Sequence, residues 1–175
     1  MPSVTEKEYR GDQTGYWMTA FERIAQIVRN SMVTYVIHEH ETMRTVEEMA
    51  RNPLFVMTRI VKTVAFRTRS GKVILAAVRG VRRVDYPRLA AIIGVNRRDL
   101  APLSPDEVLE LIGTKPGSVS PVPISEDVRV LIDDDVLTIL PTLYCGTGSA
   151  DRTLEIAPAD LVRLTGGRVG SFSKR

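Results

Sequence analysis

Two β-rich runs joined by a short turn constrain this chain more than any other feature. Thr58 to Thr68 is long, apolar and β-branched, and it reads as a strand. Ser70-Gly71 supplies the turn, and Lys72 to Val78 reads as the return strand. A hairpin is antiparallel, so an all-parallel sheet is excluded. The two faces of the first run differ. Ile60, Lys62, Val64 and Phe66 share one, and Val61, Thr63, Ala65 and Arg67 share the other. Lys62 therefore interrupts the more apolar face. An inward lysine costs desolvation free energy unless it is paired or meets water. Either it snorkels to the sheet edge, or it faces a cleft as a fixed positive charge able to hold a carbonyl, phosphate or oxyanion.

Helices surround this hairpin. Trp17, Phe21, Ile24, Ala25 and Val28 recur at helical spacing, which predicts an amphipathic helix to about Asn30. Residues 1 to about 15 read as a polar extension. Val33 to His38 reads as a strand. Thr45 with Glu48, and Ser104 with Glu107, are capping boxes that open short helices. Asp85 caps a helix with Pro87 in its first turn and Gly94 at its end. Lys115 to Pro123 holds three prolines and one glycine, so it is neither a helix nor a central strand. Val128 to Ile132, part of Val136 to Tyr144, and Arg152 to Ile156 read as strands. Pro158 begins a last helix that ends at Gly166-Gly167. The expected fold is α/β of the α+β kind, a mixed, partly barrel-like sheet surrounded by helices.

At 175 residues and 43% hydrophobic composition, one globular domain is expected. Apolar runs fall short of the roughly 20 residues of a membrane helix. No basic-then-apolar leader opens the chain. The single cysteine, Cys145, permits no internal disulfide and fits a cytoplasmic home. Net charge is +3, which permits phosphate contact without demanding it. Arg79, Arg82, Arg83 and Arg88 cluster, with Arg97 and Arg98 following; they form either a solvated surface or a phosphate-facing patch.

Other candidate chemistry is weaker. His38 and His40 face one side of a strand without an evident third metal ligand. Asp133-Asp134-Asp135 lacks the spacing of a calcium loop and reads as a solvated turn. Cys145 reads as a packing residue. The loop Gly117-Ser118-Val119-Ser120-Pro121 is either a structural crossover or a place where a ligand approaches backbone closely.

Several segments, taken in order, resemble the YbaK/ProX family of aminoacyl-tRNA editing deacylases. They are Glu39-His40 followed by Thr45 to Ala50, Ile60 to Val64, the loop Gly117 to Pro121, and Gly146 through Ile156 to Gly166. The resemblance covers roughly residues 31 to 170. It sets off residues 1–30 as an extension with a helix and 171–175 as a tail. It implies hydrolysis of the ester between a wrong amino acid and its tRNA, alanine or cysteine on proline tRNA being the family's commonest theme. It implies Lys62 as the catalytic residue. Gly117, Ser118, Val119, Ser120 and Pro121 would line the aminoacyl pocket, with Gly146, Thr147, Gly148 and His40 beside them. Arg79, Arg82 and Arg83 would hold the tRNA. The implied partners are mischarged aminoacyl-tRNA and an aminoacyl-tRNA synthetase; no membrane, metal or cofactor is implied. Val122-Pro123 departs from the Phe-Gly or Phe-Ala of many relatives, which bears on the amino acid accepted. A non-catalytic tRNA- or synthetase-binding module of the same fold, and an unrelated Schiff-base lysine enzyme, are the competing readings.

Overall fold

The computed structural model describes Tyr9–Arg10 and residues 17–175. Most of the expected extension lies outside the described residues. Strands β1 (Tyr9–Arg10) and β2 (Trp17–Met18) pair antiparallel. Helix α1 spans Ala20–Asn30 and starts later than its periodicity suggests, because Thr19 caps it. The Thr19 hydroxyl accepts from the Glu22 amide at 3.2 Å, and the Glu22 carboxylate accepts from the Thr19 amide at 2.7 Å. Strand β3 is Tyr35–Glu39 and helix α2 is Val46–Arg51. The Thr45 hydroxyl caps α2 as expected, but Glu48 turns to the Arg44 amide (2.6 Å), so only half of that capping box forms.

The hairpin is β4 (Val61–Thr68) and β5 (Val73–Arg79). It begins three residues later than the apolar run, since Met57–Arg59 coil into a 3-10 turn. A short β6 (Arg83–Val84) leads to α3 (Tyr86–Ile93), capped by Asp85 and closed at Gly94. Then come β7 (Leu100–Pro102) and α4 (Pro105–Glu107), where Ser104 and Glu107 form the full expected box. A π turn over Val108–Ile112 continues α4 to Gly113. Residues 114–128 form no regular element. Strand β8 is Arg129–Asp133. Asp134–Thr138 is a 3-10 helix rather than the start of a strand, so β9 is confined to Leu143–Gly146. Strand β10 (Arg152–Ile156) and helix α5 (Pro158–Thr165) fall where expected. Two strands follow, β11 (Arg168–Gly170) and β12 (Ser173–Lys174).

The main sheet has the order β11-β8-β5-β4-β7. It is mixed: β11, β8 and β5 are parallel, and β4 runs antiparallel to both β5 and β7. A second, antiparallel sheet has the order β3-β10-β9. A parallel bridge between Ile60 and Tyr144 links the two sheets. No closed barrel results.

The alternation along β4 sorts its side chains between two cores. Val61 and Ala65 enter a core shared with Ile24 and Val28 of α1 and with Leu143, Leu154 and Ile156 of the second sheet. Phe66 enters the opposite core, with Leu89 and Ala90 of α3 and with Phe172, and Val64 packs against it. Lys62 lies on that second face, at the end of the strand beyond Val64.

Asp133 is not in a solvated turn. It is fully buried, and its carboxylate accepts from the amides of Phe172 (2.7 Å) and Ser173 (2.8 Å) and from the Ser173 hydroxyl (2.8 Å). The last residues, set apart as a tail in sequence, are therefore clasped to the sheet, with Phe172 fully buried and β12 paired to β6.

Candidate functional site

A cleft of about 240 Å³ opens where the two sheets meet. One wall is the start of β4, with Lys62 and Thr63. The loop Gly117-Ser118-Val119 lines the cleft too. His40 at the end of β3, Gly146 at the end of β9, and Thr45 and Met49 of α2 complete it.

Two glycines set the loop's position. Gly117 has φ +87°, and a Cβ there would lie 2.4 Å from the Arg44 carbonyl oxygen. A Cβ on Gly146 would lie 2.4 Å from the Val119 carbonyl oxygen. Only residues without a Cβ let these backbones approach so closely. The Gly148 amide donates to the Ser118 carbonyl (2.8 Å), which ties the turn after β9 to the same loop.

Lys62 is partly exposed and makes no ion pair among the described residues. Burial, followed by the positive charge of Arg83, holds its pKa below the ordinary lysine value of 10.5; Glu47 acts in the opposite sense. Lys62 also lines a second cavity, described below, and so stands at the junction of the two.

The other residues singled out in the sequence divide into those at the cleft and those behind it. His40 is fixed at the wall: Nδ1 donates to the Glu41 carbonyl (2.6 Å), and Nε2 meets the Thr153 hydroxyl at 2.7 Å. The Ser118 amide is already used, donating to the Lys115 carbonyl at 3.2 Å. Ser120 is buried behind the loop, where its hydroxyl accepts from the Val122 amide (3.1 Å). Pro121, Thr147 and Gly148 do not line the cleft. Thr147 is buried and its hydroxyl donates to the Arg152 carbonyl (2.9 Å), so it supports the turn from within.

The arginine cluster separates as well. Arg79 is engaged by the Asp135 carboxylate (2.8 Å), the Thr58 carbonyl (2.5 Å) and the Thr138 hydroxyl (2.6 Å). Arg82 leans on the same carboxylate at 3.6 Å. Arg83 is exposed and faces the second cavity.

Cys145 is 1% exposed, and burial pushes its thiol up to about 12, so it is not a ready nucleophile. His38 pairs with Glu155 (2.6 Å), and both His38 and His40 pack edge-on against Phe55. Burial pushes Glu155 up, but the Thr142 hydroxyl, His38 and Arg59 outweigh it and hold the carboxyl below its ordinary value. Among the described residues, no three His, Cys, Asp or Glu side chains are grouped to hold a metal. Nor is any described helix long and apolar enough to cross a membrane.

Sequence reasoning missed Arg44, Met49 and Thr153 at the cleft. Met49 carries no signal beyond helical spacing. Thr153 faces His40 only through the β10–β3 register, which places Thr153 opposite His38.

An open mixed sheet, with a lysine on a central strand and a glycine-positioned loop lining the same cleft, defines a mixed α/β domain with a lysine-walled cleft. Comparison with known proteins narrows the class. A family model described as the aminoacyl-tRNA editing domain matches residues 40–164. The chain belongs to this family. It is 32% identical over 139 residues to the uncharacterized protein YwhH of Bacillus subtilis (strain 168), covering 79% of this chain and 82% of that one. It is 36% identical over 98 residues to the proline–tRNA ligase of Xanthomonas axonopodis pv. citri (strain 306), covering 56% of this chain but 17% of the ligase. A solved structure of a proposed trans-editing enzyme for prolyl tRNA synthetase superposes with a TM-score of 0.77 at 25% identity, covering 89% of this chain and 98% of that one.

Proposed function

We propose that this chain is an aminoacyl-tRNA deacylase, acting in the cytoplasm, that hydrolyses the ester of alanine or cysteine mischarged on proline tRNA. The observation that carries this reading is the Lys62 cation in the lining of the cleft that the Gly117–Val119 loop also lines. Membership of the editing family supports it, as do relatives named for proline tRNA. An aminoacyl ester is already activated, so hydrolysis needs its carbonyl polarised and water positioned. The Lys62 ammonium holds the carbonyl oxygen and stabilises the negative charge that forms on it. Water adds to the carbonyl carbon. The bond to the ribose oxygen then breaks, and that oxygen leaves with a proton relayed by the neighbouring ribose hydroxyl or an ordered water. The free amino acid and uncharged tRNA result.

Small size gives the cleft its selectivity. One methylene is worth only about 1–3 kcal/mol to a binding pocket, so a synthetase leaks near-isosteres that a second site must remove. Association with a prolyl-tRNA synthetase belongs to the same proposal. A panel of tRNAs charged with alanine, cysteine or proline tests it. Release of alanine or cysteine from proline tRNA, with prolyl-tRNA spared, is the expected result. Intact esters throughout the panel would overturn the proposal in favour of a non-catalytic binding module.

A further inference from the structure

Beyond Lys62, on the face of the sheet covered by α3, lies a second and wider cavity of about 500 Å³. Its charge is one-sided. Lys62, Arg83, Arg97 and Lys174 all line it, and no carboxylate does. None of the four is in an ion pair among the described residues, whereas Arg59, Arg67, Arg79, Arg82, Arg88 and Arg152 all are. The nearby acids are spent or set apart. Asp85 caps α3 and reaches Arg88 at 3.8 Å, and Glu47, which acts on Lys62, does not line the cavity.

The fold forces this cluster together. Pairing of β12 with β6 sets Lys174 directly opposite Arg83. Like charges facing each other across a strand pair are destabilising, so their retention without a counter-ion points to an anion supplied from outside. The cavity also has a flat platform. The Arg97 guanidinium lies over the Tyr86 ring, 4.7 Å from its centroid, and Arg97 is anchored through the Leu100 carbonyl (3.0 Å). Unpaired bases stack on aromatic rings and on guanidinium planes.

We infer that this groove binds the unpaired 3′ end of the RNA, its phosphates on Arg83 and Lys174 and a base stacked at Arg97–Tyr86, so that the terminal ribose reaches Lys62. The inference rests on the editing reading for what lies beyond Lys62, but the groove's chemistry stands on its own. Because Arg79 and Arg82 are held by Asp135, they take no part in it.

The test is binding of a labelled RNA hairpin with an unpaired CCA tail, measured by fluorescence anisotropy across a salt series. The proteins are wild type, Arg83→Gln/Lys174→Gln and Arg97→Gln. All three side chains are exposed, so the fold tolerates the changes. The double variant should bind at least about tenfold more weakly, with a log–log salt slope shallower by about 1.4, since each phosphate contact on a single strand contributes about 0.7. Arg97→Gln should lose about tenfold and should no longer distinguish the tailed hairpin from a blunt one. Arg163→Gln on α5 serves as the surface control and should match wild type. Unchanged affinity and slope in the groove variants, or equal binding of blunt and tailed hairpins by wild type, overturns the inference. The two readings fail separately. If the groove variants weaken RNA binding but wild type hydrolyses no aminoacyl ester, the editing reading falls and the groove stands. If wild type hydrolyses the ester with KM untouched by the groove variants, the groove falls and the editing reading stands.

Discussion

At the scale of the residue, Lys62 combines a cost with a use. Its pKa is lowered by burial and then by Arg83, so the folded protein binds the lysine proton less tightly than the unfolded chain does. The sign follows from linkage. Below the folded pKa both states carry the proton and the full cost of the buried charge is present. As pH rises through the folded pKa toward 10.5, the folded state sheds its proton first and the cost is relieved. Lys62→Met keeps the aliphatic stem and removes the charge. Near neutral pH this variant should melt at a higher temperature than wild type, and the gap should narrow as pH rises toward that of free lysine. Thermal unfolding followed by circular dichroism at several pH values checks this. A variant that melts lower than wild type at neutral pH would show that the ammonium stabilises the fold rather than burdening it.

At the scale of the element, much of the fold was legible because local signals and tertiary packing agreed. The β4–β5 hairpin, the Asp85 cap of α3, the Ser104 box and α5 follow from turn chemistry and capping. Element ends were less legible. Helix α1 loses Trp17 and Met18 to a strand because Thr19 and Glu22 cap it. Strand β4 loses residues 58–60 to a 3-10 turn and the Ile60–Tyr144 bridge. The candidate cleft was legible in part. Lys62 stood out as a charge on an apolar face, and Gly117 as a glycine in a proline-rich loop. Ser120, Pro121 and Thr147 share those motifs but do not line the cleft, since an extended loop presents some side chains to the cleft and buries others. Arg83 and Arg97 already belonged to one cluster in the sequence, but Lys174 meets Arg83 only through the pairing of β12 with β6. Sequence spacing carries no trace of that pairing.

At the scale of the whole molecule, the buried Asp133 carboxylate is what joins the end of the chain to the sheet. It holds Phe172 and Ser173, thereby fixes β12, and so brings Lys174 to Arg83. Hydrogen bonds to a charged group contribute roughly 1.5–3 kcal/mol each. Asp133→Ala should therefore cost about 3 kcal/mol or more in urea unfolding and should expose the C-terminal residues to carboxypeptidase. A loss below about 1 kcal/mol would mean that Phe172 and its apolar contacts hold the end without the carboxylate.

The central claim is that Lys62 polarises an aminoacyl ester. Single-turnover deacylation of alanyl-tRNA(Pro) by wild type, Lys62→Ala and Lys62→Arg tests it most directly. The account predicts that Lys62→Ala lowers the rate by about 10²–10³-fold, the usual loss when one oxyanion-stabilising group is removed. It predicts partial recovery in Lys62→Arg, which restores the charge but not the shape. A wild-type enzyme that hydrolyses the ester at a rate Lys62→Ala matches would contradict the account and shift the chemistry to the loop alone.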